Sequence, residues 1–479
     1  MRITGRLLGL FLLLLASPVF AADVFQAGAA TSNITPPIGL PVIGGFVPYP
    51  SQNVHDELHA RCLVLDDGKT KLAIVVCDLL GVHQVVSDEA RKLIAAKSEI
   101  PRENVLISAT HTHSASSALG KNRLQADQTL DEYQTFVAQR IADGVARAKH
   151  NLRPAQIAFG KVDVPEHVFN RRWHMKPGTA PVNPFGDVEQ VKMNPPGGSP
   201  NLVEPAGPTD PTVSFLAVRE PDGRMISLFA TYSLHYVGGV GKADISADYY
   251  GIFCEHLKTL VTKDDKVDPA IDRPPFVALL ANGTSGDINN NNFRQPRPGK
   301  KPYGQMRYVA EDVATKVQGA LEGLEYQDHV SLAAAYREMP IGWRKPTEDQ
   351  MKWAAETIAA GRKNERDLSY IYAERTQRMA EYKEDTINLP LQVFRIGDVC
   401  IGTMPCEVFC EIGLEFKSRS PQQPAFMVSL AHGYFGYLPT PRHFRLGGYE
   451  TWIGTNRLEP NASDKMLDAL LKMAEEVKK

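Results

Sequence analysis

Two histidines one residue apart follow an apolar run in the segment NVLISATHTHSASSALG, residues 104–120. The run predicts a β-strand, and alternate side chains of an extended chain point to the same side. The imidazoles of His111 and His113 are therefore expected to face one common space beyond the strand. This spacing suits a metal ligand next to a second ligand or next to a general acid–base. Two surface histidines in a loop would show the same pattern, so the pair alone does not decide.

Three further apolar runs lead into a residue that can bind a metal ion. They are FATYSLHY, which contains His235, TMPCEVF, which contains Glu407, and YFGY, which ends in Tyr437. Two histidines and a glutamate are a familiar ligand set of catalytic zinc, which lowers the pKa of a coordinated water toward 7. The same residues also have an ordinary explanation, because a histidine at a strand end is often a core residue and Glu407 would also cap a following helix.

The elements that would position these residues alternate along the chain. Short apolar runs predict strands at Ala60–Asp66, Leu72–Asp78, Val105–Ala109, Thr212–Arg219, Met225–Tyr232, Phe276–Ala281, Gln392–Ile396, Val399–Met404 and Phe426–Ala431. Apolar residues at helical spacing predict helices at His83–Lys97, Leu130–Lys149, Tyr249–Lys263, Tyr303–Leu324, Thr347–Lys383 and Ser463–Lys479. The strand runs are nearly continuous, which is typical of strands covered on both faces.

This alternation predicts an α/β fold in which mixed β-sheets and flanking helices form one large catalytic domain at residues 22–479. Residues 176–211 are rich in Pro and Gly and lack periodicity, so we expect a long loop that lies over a site. The charged segment 347–383 is expected to be a solvated helix or a helical hairpin without a functional role. The sequence shows no internal repeat.

The N-terminus predicts export. Arg2 and Arg6 precede an apolar run, and Val19 and Ala21 stand at the expected cleavage positions, which is the pattern of a secretory signal peptide at residues 1–21. The run is too short for a membrane span, which needs about 20 apolar residues. A soluble protein of the periplasm or the extracellular space is therefore expected.

Composition argues against two classes of partner. The formal net charge of -2 becomes -4 without Arg2 and Arg6, which argues against nucleic acid and against a polybasic membrane surface. None of the six cysteines has zinc-ribbon spacing. Cys406 and Cys410 would fit a small disulfide in an oxidising compartment, but two core-facing thiols are the favoured interpretation.

Several segments occur in the order known from one protein family. They are NVLISATHTHS, NRRW, FATYSLHY, ISADYYG, ALLANGTSGDINNNN, TMPCEVF and YFGYLPTPRHFRLGGYE. Over residues 26–455 the chain resembles the catalytic N-terminal domain of neutral/alkaline non-lysosomal ceramidases, and we expect their immunoglobulin-like C-terminal domain to be absent. The last segment is the most specific, because the family places a metal-binding tyrosine in Y-x-x-Y and a second active-site tyrosine twelve residues later. Tyr437 and Tyr449 reproduce that spacing.

The resemblance implies roles for individual residues. The family's zinc ligands correspond to His111, His235, Glu407 and Tyr437. His113 corresponds to a histidine beside the metal that handles protons, Arg171 to the arginine of an N-R-S segment, and Tyr449 to a tyrosine that contacts the substrate amide or its oxyanion. The implied protein is a zinc-dependent amidohydrolase with Zn²⁺ as cofactor and a small-molecule or lipid-like N-acyl substrate. A lipid-like substrate would also allow transient contact with a membrane surface.

Two departures from the family concern the substrate. The family's G-D-x-S-P-N presents a serine with an assigned role in ceramide hydrolysis, whereas this chain reads GDINNNN, with Asn289 at that place. An amide forms hydrogen bonds but is not a nucleophile. The glycine–proline loop after H-T-H-S is also replaced, by ASSALG. We therefore expect a substrate that is more polar near the scissile bond than long-chain ceramide.

Two other functions stay open. A binding protein that keeps the metal site without turnover would explain Asn289, although the presence of His113 and Tyr449 argues against it. A TIM-barrel metal amidohydrolase also carries H-x-H after a strand, but after its first strand. Several predicted strands precede His111 in this chain.

Overall fold

A computed structural model describes residues 24–120, 129–263 and 273–478. The predicted signal peptide at residues 1–21 lies outside the described residues. No helix within the described ranges combines the length and the apolar content that crossing a membrane requires. Strands and helices are numbered below in chain order.

The first part of the chain forms a sheet with the strand order β7-β6-β5-β1-β9. The elements of this part are β1 (Gln26–Asn33), β2 (Pro41–Ile43), β3 (Tyr49–Pro50), β4 (Asn53–Val54), β5 (His59–Asp66), β6 (Lys71–Cys77), α1 (Gln84–Ser98), β7 (Val105–Ala109), β8 (Ala115–Ser116), α2 (Glu132–His150) and β9 (Arg153–Pro154). The helix α2 begins with a capping box, in which Asp131 and Gln134 each bond the other's backbone N–H, so the boundary is encoded locally.

The middle part forms a sheet with the strand order β10-β15-β16-β18. Its elements are β10 (Gln156–Asp163), β11 (Phe169–Asn170), β12 (Arg172–Met175), β13 (Val191–Met193), β14 (Leu202–Pro205), β15 (Thr212–Arg219), β16 (Met225–Tyr232), β17 (Asp244–Ile245), α3 (Asp248–Thr262), β18 (Val277–Asn282), β19 (Ile288–Asn289) and α4 (Gly304–Gly319).

The last part forms a sheet with the strand order β20-β21-β22-β24. Its elements are β20 (Leu332–Gly342), α5 (Glu348–Ala359), α6 (Leu368–Ala380), β21 (Thr386–Ile396), β22 (Val399–Thr403), β23 (Glu407–Val408), α7 (Cys410–Arg419), β24 (Ala425–Val428), β25 (Tyr437–Leu438), α8 (Pro441–Leu446) and α9 (Ala462–Glu476). The predicted helix at 347–383 is thus a pair of helices, α5 and α6, that pack against each other.

The three sheets repeat one arrangement. In each, three antiparallel strands are followed by a helix and by a fourth strand that is parallel to the third. The three units are β1-β5-β6-α1-β7, β10-β15-β16-α3-β18 and β20-β21-β22-α7-β24. The repeat is one of topology, which sequence comparison misses because a core tolerates many apolar side chains of suitable volume.

One core joins the inner faces of the three sheets. It includes Leu63 of β5, Phe229 of β16 and Phe426 of β24, all of them buried. The outer faces pack against α1 and α2, α3 and α4, and α7 and α9, respectively. Each sheet is therefore covered on both sides, which explains the nearly continuous apolar runs of the predicted strands. The α/β fold with mixed sheets and flanking helices is confirmed, and the TIM-barrel alternative is wrong.

The nine predicted strands and six predicted helical regions are present. The first strand of each of the three sheet units, β1, β10 and β20, was not predicted. Strand β1 reads QAGAATSN and has few bulky residues because α2 packs closely on it. A Cβ at Gly28 would lie 2.2 Å from the backbone oxygen of Ala148 in that helix. Strand β20 was missed because much of it is partly exposed, so its apolar pattern is diluted.

Two smaller expectations have different outcomes. All six cysteines are buried and unpaired, which confirms core-facing thiols at Cys406 and Cys410. Residues 176–211 were expected to be a loop without regular structure, but β13 and β14 lie within them and both pair with β12. Short strands of three and four residues carry too little periodicity to be seen in a Pro- and Gly-rich sequence.

Candidate metal centre

Three histidines converge beyond the ends of β7 and β16. The ring nitrogens of His111, His113 and His235 that face this centre lie within 4.8 Å of one another, and Nε2 of His113 is 3.1 Å from Nε2 of His111. The side chains of His111 and His235 are buried, and that of His113 is half-buried. Three imidazoles that converge in this way could hold a divalent metal ion.

The backbone conformation that brings these histidines together differs from the extended one that the sequence predicted. His111 has a φ of 73°, the left-handed region that non-glycine residues rarely adopt. The H-x-H segment is therefore not extended, and simple alternation does not explain why both imidazoles face one space. The neighbouring backbone holds the conformation, because the amide of His111 donates to the carbonyl oxygen of Leu79 at 2.9 Å.

A carboxylate completes the cluster. Oε2 of Glu407, in β23, lies 3.2 Å from Nε2 of His111 and 3.7 Å from Nε2 of His235. Both Oε2 of Glu407 and Nε2 of His235 are buried without a hydrogen-bond partner among the described residues. Buried polar atoms are rarely left unpaired, so this pair calls for an explanation. Two imidazoles and a carboxylate are a donor set that fits zinc.

Backbone carbonyls orient the two buried imidazoles. Nδ1 of His111 is 2.7 Å from the carbonyl oxygen of Leu80, and Nδ1 of His235 is 3.1 Å from that of Ser285. A carbonyl only accepts, so each Nδ1 carries the hydrogen and each Nε2 presents a lone pair to the centre. Outer contacts of this kind hold metal-binding histidines in the required tautomer.

The charge states also suit a cation. Burial lowers the pKa of His235 well below its ordinary value, and the positive charge of Arg171 adds to the effect. Burial raises the pKa of Glu407, but the electrostatic attraction of the neighbouring His111 and hydrogen bonds from Tyr437 and Tyr434 outweigh it and leave the pKa lowered. Neutral imidazole and ionised carboxylate are the forms that bind metal.

Two tyrosines flank the carboxylate. The hydroxyl of Tyr434 donates to Oε1 of Glu407 at 2.7 Å, which leaves Oε2 for the centre. Tyr437 lies beside Glu407 because β23 and β25 pair in parallel, with these two residues in register. Burial raises the pKa of Tyr437 well above its ordinary value, so its phenol is a hydrogen-bond donor unless a metal displaces the proton.

A buried glutamate that the sequence analysis missed holds Arg171 in place. Nε of Arg171 donates to Oε1 of Glu450 at 2.9 Å, and Nη1 of Arg172 donates to Oε2 at 2.6 Å. The guanidinium carbon of Arg171 lies 5.3 Å from the ring centroid of Tyr437. Arg171 therefore supports Tyr437 from behind. The only signal for Glu450 in the sequence is its position directly after Tyr449.

Tyr449 stands on the open side of the centre. It begins the 3-10 turn Tyr449–Thr451, and its ring packs edge-on against Tyr437 at a centroid distance of 5.7 Å. A cavity of about 70 Å³ is lined by His111, His113, Glu407, Tyr437 and Tyr449, among other residues. The structure therefore brings together the residues that the sequence analysis selected, with Arg171 one layer further out.

Two larger cavities adjoin this central one, on either side of Phe46. One, of about 590 Å³, is lined by residues of α6 and by Leu40, Ile43 and Tyr133. The other, of about 520 Å³, is lined by His113, Arg171 and Trp452 and by residues 181–184, 189 and 191–194. The Pro- and Gly-rich segment 176–211 thus forms part of a wall that reaches the centre.

The side-chain amide of Asn289 is not free to bind a substrate, contrary to the expectation from the sequence. Its Nδ2 donates to Oδ1 of Asn194 at 2.7 Å, and its Oδ1 accepts from the backbone of Asn291 at 2.9 Å. The side chain is buried and ties β19 to the segment 176–211. The amide has its partners within the protein, so it does not present an unsatisfied polar group to a substrate.

Comparison with known proteins agrees with this geometry. Two neutral ceramidases are 23% identical to the chain: that of Drosophila melanogaster over 276 residues, 56% of this chain and 36% of that protein, and that of Drosophila pseudoobscura pseudoobscura over 280 residues, 57% and 37%. The chain thus spans about a third of the length of these relatives.

Two solved structures share the fold. The crystal structure of neutral ceramidase from Pseudomonas aeruginosa superposes with a TM-score of 0.67 at 18% identity, over 94% of this chain and 74% of that one. A ceramidase complexed with C2 superposes with the same TM-score at 17% identity, over 94% and 75%. The family model for the N-terminal part of these hydrolases matches residues 25–298. Because this match covers more than half of the chain, the chain belongs to the neutral/alkaline non-lysosomal ceramidase family.

Proposed function

We propose that this chain is an exported, zinc-dependent hydrolase that cleaves an amide (N-acyl) bond. The observation that carries the proposal is the convergence of His111, His235 and Glu407, with two buried atoms that have no hydrogen-bond partner among the described residues. A zinc ion bound there would supply a Lewis acid and lower the pKa of a water toward 7. We assign Tyr437 as the fourth ligand, and the N-terminal pattern of residues 1–21 supports export.

His113 is proposed to move the proton. Its ring stacks on Tyr236 with a centroid distance of 3.7 Å and an interplanar angle of 15°, which fixes the imidazole plane at the edge of the central cavity. From there it can take a proton from the attacking water and deliver it to the leaving amine nitrogen, the usual task of a histidine acid–base. Its distance from His111 would also allow it to bind metal, so the two roles have to be separated by experiment.

Tyr449 is proposed to stabilise the oxyanion. Its phenol borders the same cavity as His111 and Glu407, and a neutral O–H donor there stabilises negative charge that develops on the amide oxygen. Arg171 acts as a positioning residue, because its guanidinium donates to Glu450 and lies against the ring of Tyr437. The substrate is proposed to be an N-acyl compound that is more polar near the scissile bond than long-chain ceramide, because Tyr434, Thr455 and Arg457 also line the central cavity.

The test measures metal content and turnover in the same preparations. Zinc-loaded wild-type protein is expected to hold about one zinc per chain and to hydrolyse members of a panel of N-acyl amides. His235→Ala should lose most of the metal, because the neutral imidazole is a direct ligand. His113→Ala should keep the metal and lose activity. His329→Ala is the control, since this histidine is exposed and lies beside Asp328, far along the chain from every proposed ligand.

Three results would contradict the proposal in different ways. Equal metal content in His235→Ala and His113→Ala would refute the division of roles between the two histidines. Loss of metal in His113→Ala would make this residue a ligand. Metal-loaded protein that binds N-acyl amides without hydrolysing any of them would indicate a binding protein built on the same site.

A further inference from the structure

Arg375 of α6 enters the candidate site from a helix that the sequence analysis left without a function. Its aliphatic stem packs against Gly454, where an added Cβ would lie 2.7 Å from Cβ of Arg375. Gly454 has a φ of 84°, so both its conformation and this close approach require glycine. The stem of Arg375 is thus fixed before any ligand arrives.

The guanidinium of Arg375 is held by neutral groups. Its Nη1 donates to the hydroxyls of Tyr372 at 3.3 Å and Thr455 at 3.2 Å. Its central carbon lies 5.0 Å from the ring centroid of Tyr372 and 5.3 Å from that of Phe46. Among the described residues, no carboxylate forms an ion pair with it and no hydrogen bond uses its Nε or Nη2. An arginine stays protonated at any physiological pH, so a positive charge with two unused donor groups remains.

The charge of Arg375 borders both the central cavity and one of the two cavities that adjoin it. Arg375 lines the central cavity together with His111, His113, Glu407 and Tyr449, and it also lines the adjoining cavity of about 590 Å³. Phe46, on which its guanidinium rests, packs edge-on against Tyr449 at 6.2 Å. A group bound to Arg375 would therefore lie within a few atoms of a bond that is cleaved at the metal centre.

The charges around the larger cavity favour an anion. Arg362 and Arg378 also line it, together with Asp131 and Glu374. The carboxylate of Asp131 is committed to capping α2, because it accepts the backbone N–H of Gln134 at 2.8 Å. Three arginines and two carboxylates line this cavity, which leaves an excess of one positive charge on this side of the centre.

We propose that Arg375 binds a carboxylate of the substrate, so that the enzyme acts on N-acyl compounds that carry an acidic group close to the scissile amide. This inference rests on the proposed amide hydrolase function and names its substrate class. A planar guanidinium with two free donors matches a carboxylate in the two-point geometry that arginine prefers. Its fixed stem and stacked plane reduce the entropy that binding would otherwise cost.

The test compares substrates that differ only in the acid. One pair places the group on the amine part: an N-acylglycine and the N-acylethanolamine with the same acyl chain. The other pair places it on the acyl part: an amide of a dicarboxylic acid and its methyl ester. In at least one pair the acid is expected to have a kcat/KM about tenfold higher, since a half-buried charge-assisted pair contributes about one factor of ten.

Three variants show whether Arg375 causes the preference. Arg375→Gln should bring the ratio of the acidic to the neutral kcat/KM to about one, whatever its effect on absolute turnover, and Arg375→Lys should restore part of the preference, because charge returns without the planar fork. Arg366→Gln is the matched control, since it removes an exposed charge next to the same helix. Equilibrium binding of the acid to metal-free protein supplies a second readout, and Arg375→Gln should weaken it about tenfold.

The outcomes separate this inference from the function on which it rests. If no compound of either pair is hydrolysed, the proposed amide hydrolase fails. If the neutral and acidic compounds are hydrolysed equally by wild type, or the preference is the same in Arg375→Gln, the function stands and the role of Arg375 is refuted. A preference lost equally in Arg366→Gln would indicate a long-range field and would also refute it.

Discussion

Replacing Glu450 by Gln tests the buried charge cluster behind the candidate metal centre. The carboxylate of Glu450 is fully buried and accepts hydrogen bonds from two guanidinium groups, those of Arg171 at 2.9 Å and Arg172 at 2.6 Å. Burial raises the pKa of Glu450, but the charges of Arg172 and Arg171 outweigh it and leave the pKa lowered. The carboxylate is therefore ionised at neutral pH, and the variant removes one negative charge from between two positive ones.

The structure sets the expected magnitude. At an effective dielectric constant of about 20, unit charges 4 Å apart attract by about 4 kcal/mol, and each arginine is at least that close. Removing one partner of a buried ion pair costs about 3–5 kcal/mol, because the remaining charge stays desolvated. The glutamine oxygen still accepts one hydrogen bond, which places the expected loss of unfolding free energy near 3 kcal/mol.

Urea denaturation at pH 7 measures the loss, with Glu189→Gln as the control. Glu189 lies on the same wall, but within the described part of the chain it accepts only from neutral donors, Nε1 of Trp452 at 2.7 Å and Nδ2 of Asn183 at 3.2 Å. Its replacement should cost at most about 1 kcal/mol. A loss for Glu450→Gln no larger than that of the control would show that solvent screens the cluster, and the account of Arg171 as a held positioning residue would fall.

Three further predictions concern acid stability, export and substrate. Burial raises the pKa of Glu411, but hydrogen bonds from His443 and Thr440 outweigh this effect and lower the pKa to about 2. The ionised carboxylate therefore stabilises the fold above about pH 4.5, by on the order of 3 kcal/mol. That contribution is lost as the pH falls toward 2, so Glu411→Gln should be less stable than wild type at pH 7 and nearly equal to it at pH 2 in denaturant titrations. N-terminal sequencing of protein from its native host should start near Ala22 or Asp23, and an intact Met1 in the soluble fraction would refute export. Polar N-acyl compounds should have higher kcat/KM than long-chain ceramides, whereas a higher kcat/KM for long-chain ceramides would restore ceramide as the substrate.

The predicted strands succeeded where burial was complete. Val105–Ala109 and Met225–Tyr232 have the predicted ends, because a strand covered on both faces needs an unbroken apolar run. Strands β1 and β20 were not predicted, because the local packing of each strand determines its residues and removes the continuous apolar run. Small residues in β1 make room for α2, and β20 is half-exposed. Such strands are recognisable only when their packing partners are known.

The site was predictable as a set of residues but not as a geometry. The spacing in H-x-H and in Y-x-x-Y predicted which side chains to consider, whereas the left-handed backbone at His111 has no signature in the sequence. Glu450 and Arg375 were missed for a related reason. Each acts across more than 70 residues, Glu450 on Arg171 and Arg375 on Thr455, and a single sequence does not show such long-range contacts.

The repeated topology explains why distant residues meet at one point. In each sheet the third and fourth strands are parallel, so their carboxyl ends lie at the same edge, where ligands of open α/β sheets bind. The segments after the third strands contribute Leu80, His235 and Glu407, and those after the fourth contribute His111, Ser285 and Tyr437. Within each of the first two sheets, one of these segments therefore supplies a proposed ligand and the other supplies a contact that orients it. Because the three sheets share one core, a substitution there should alter metal affinity as well as stability.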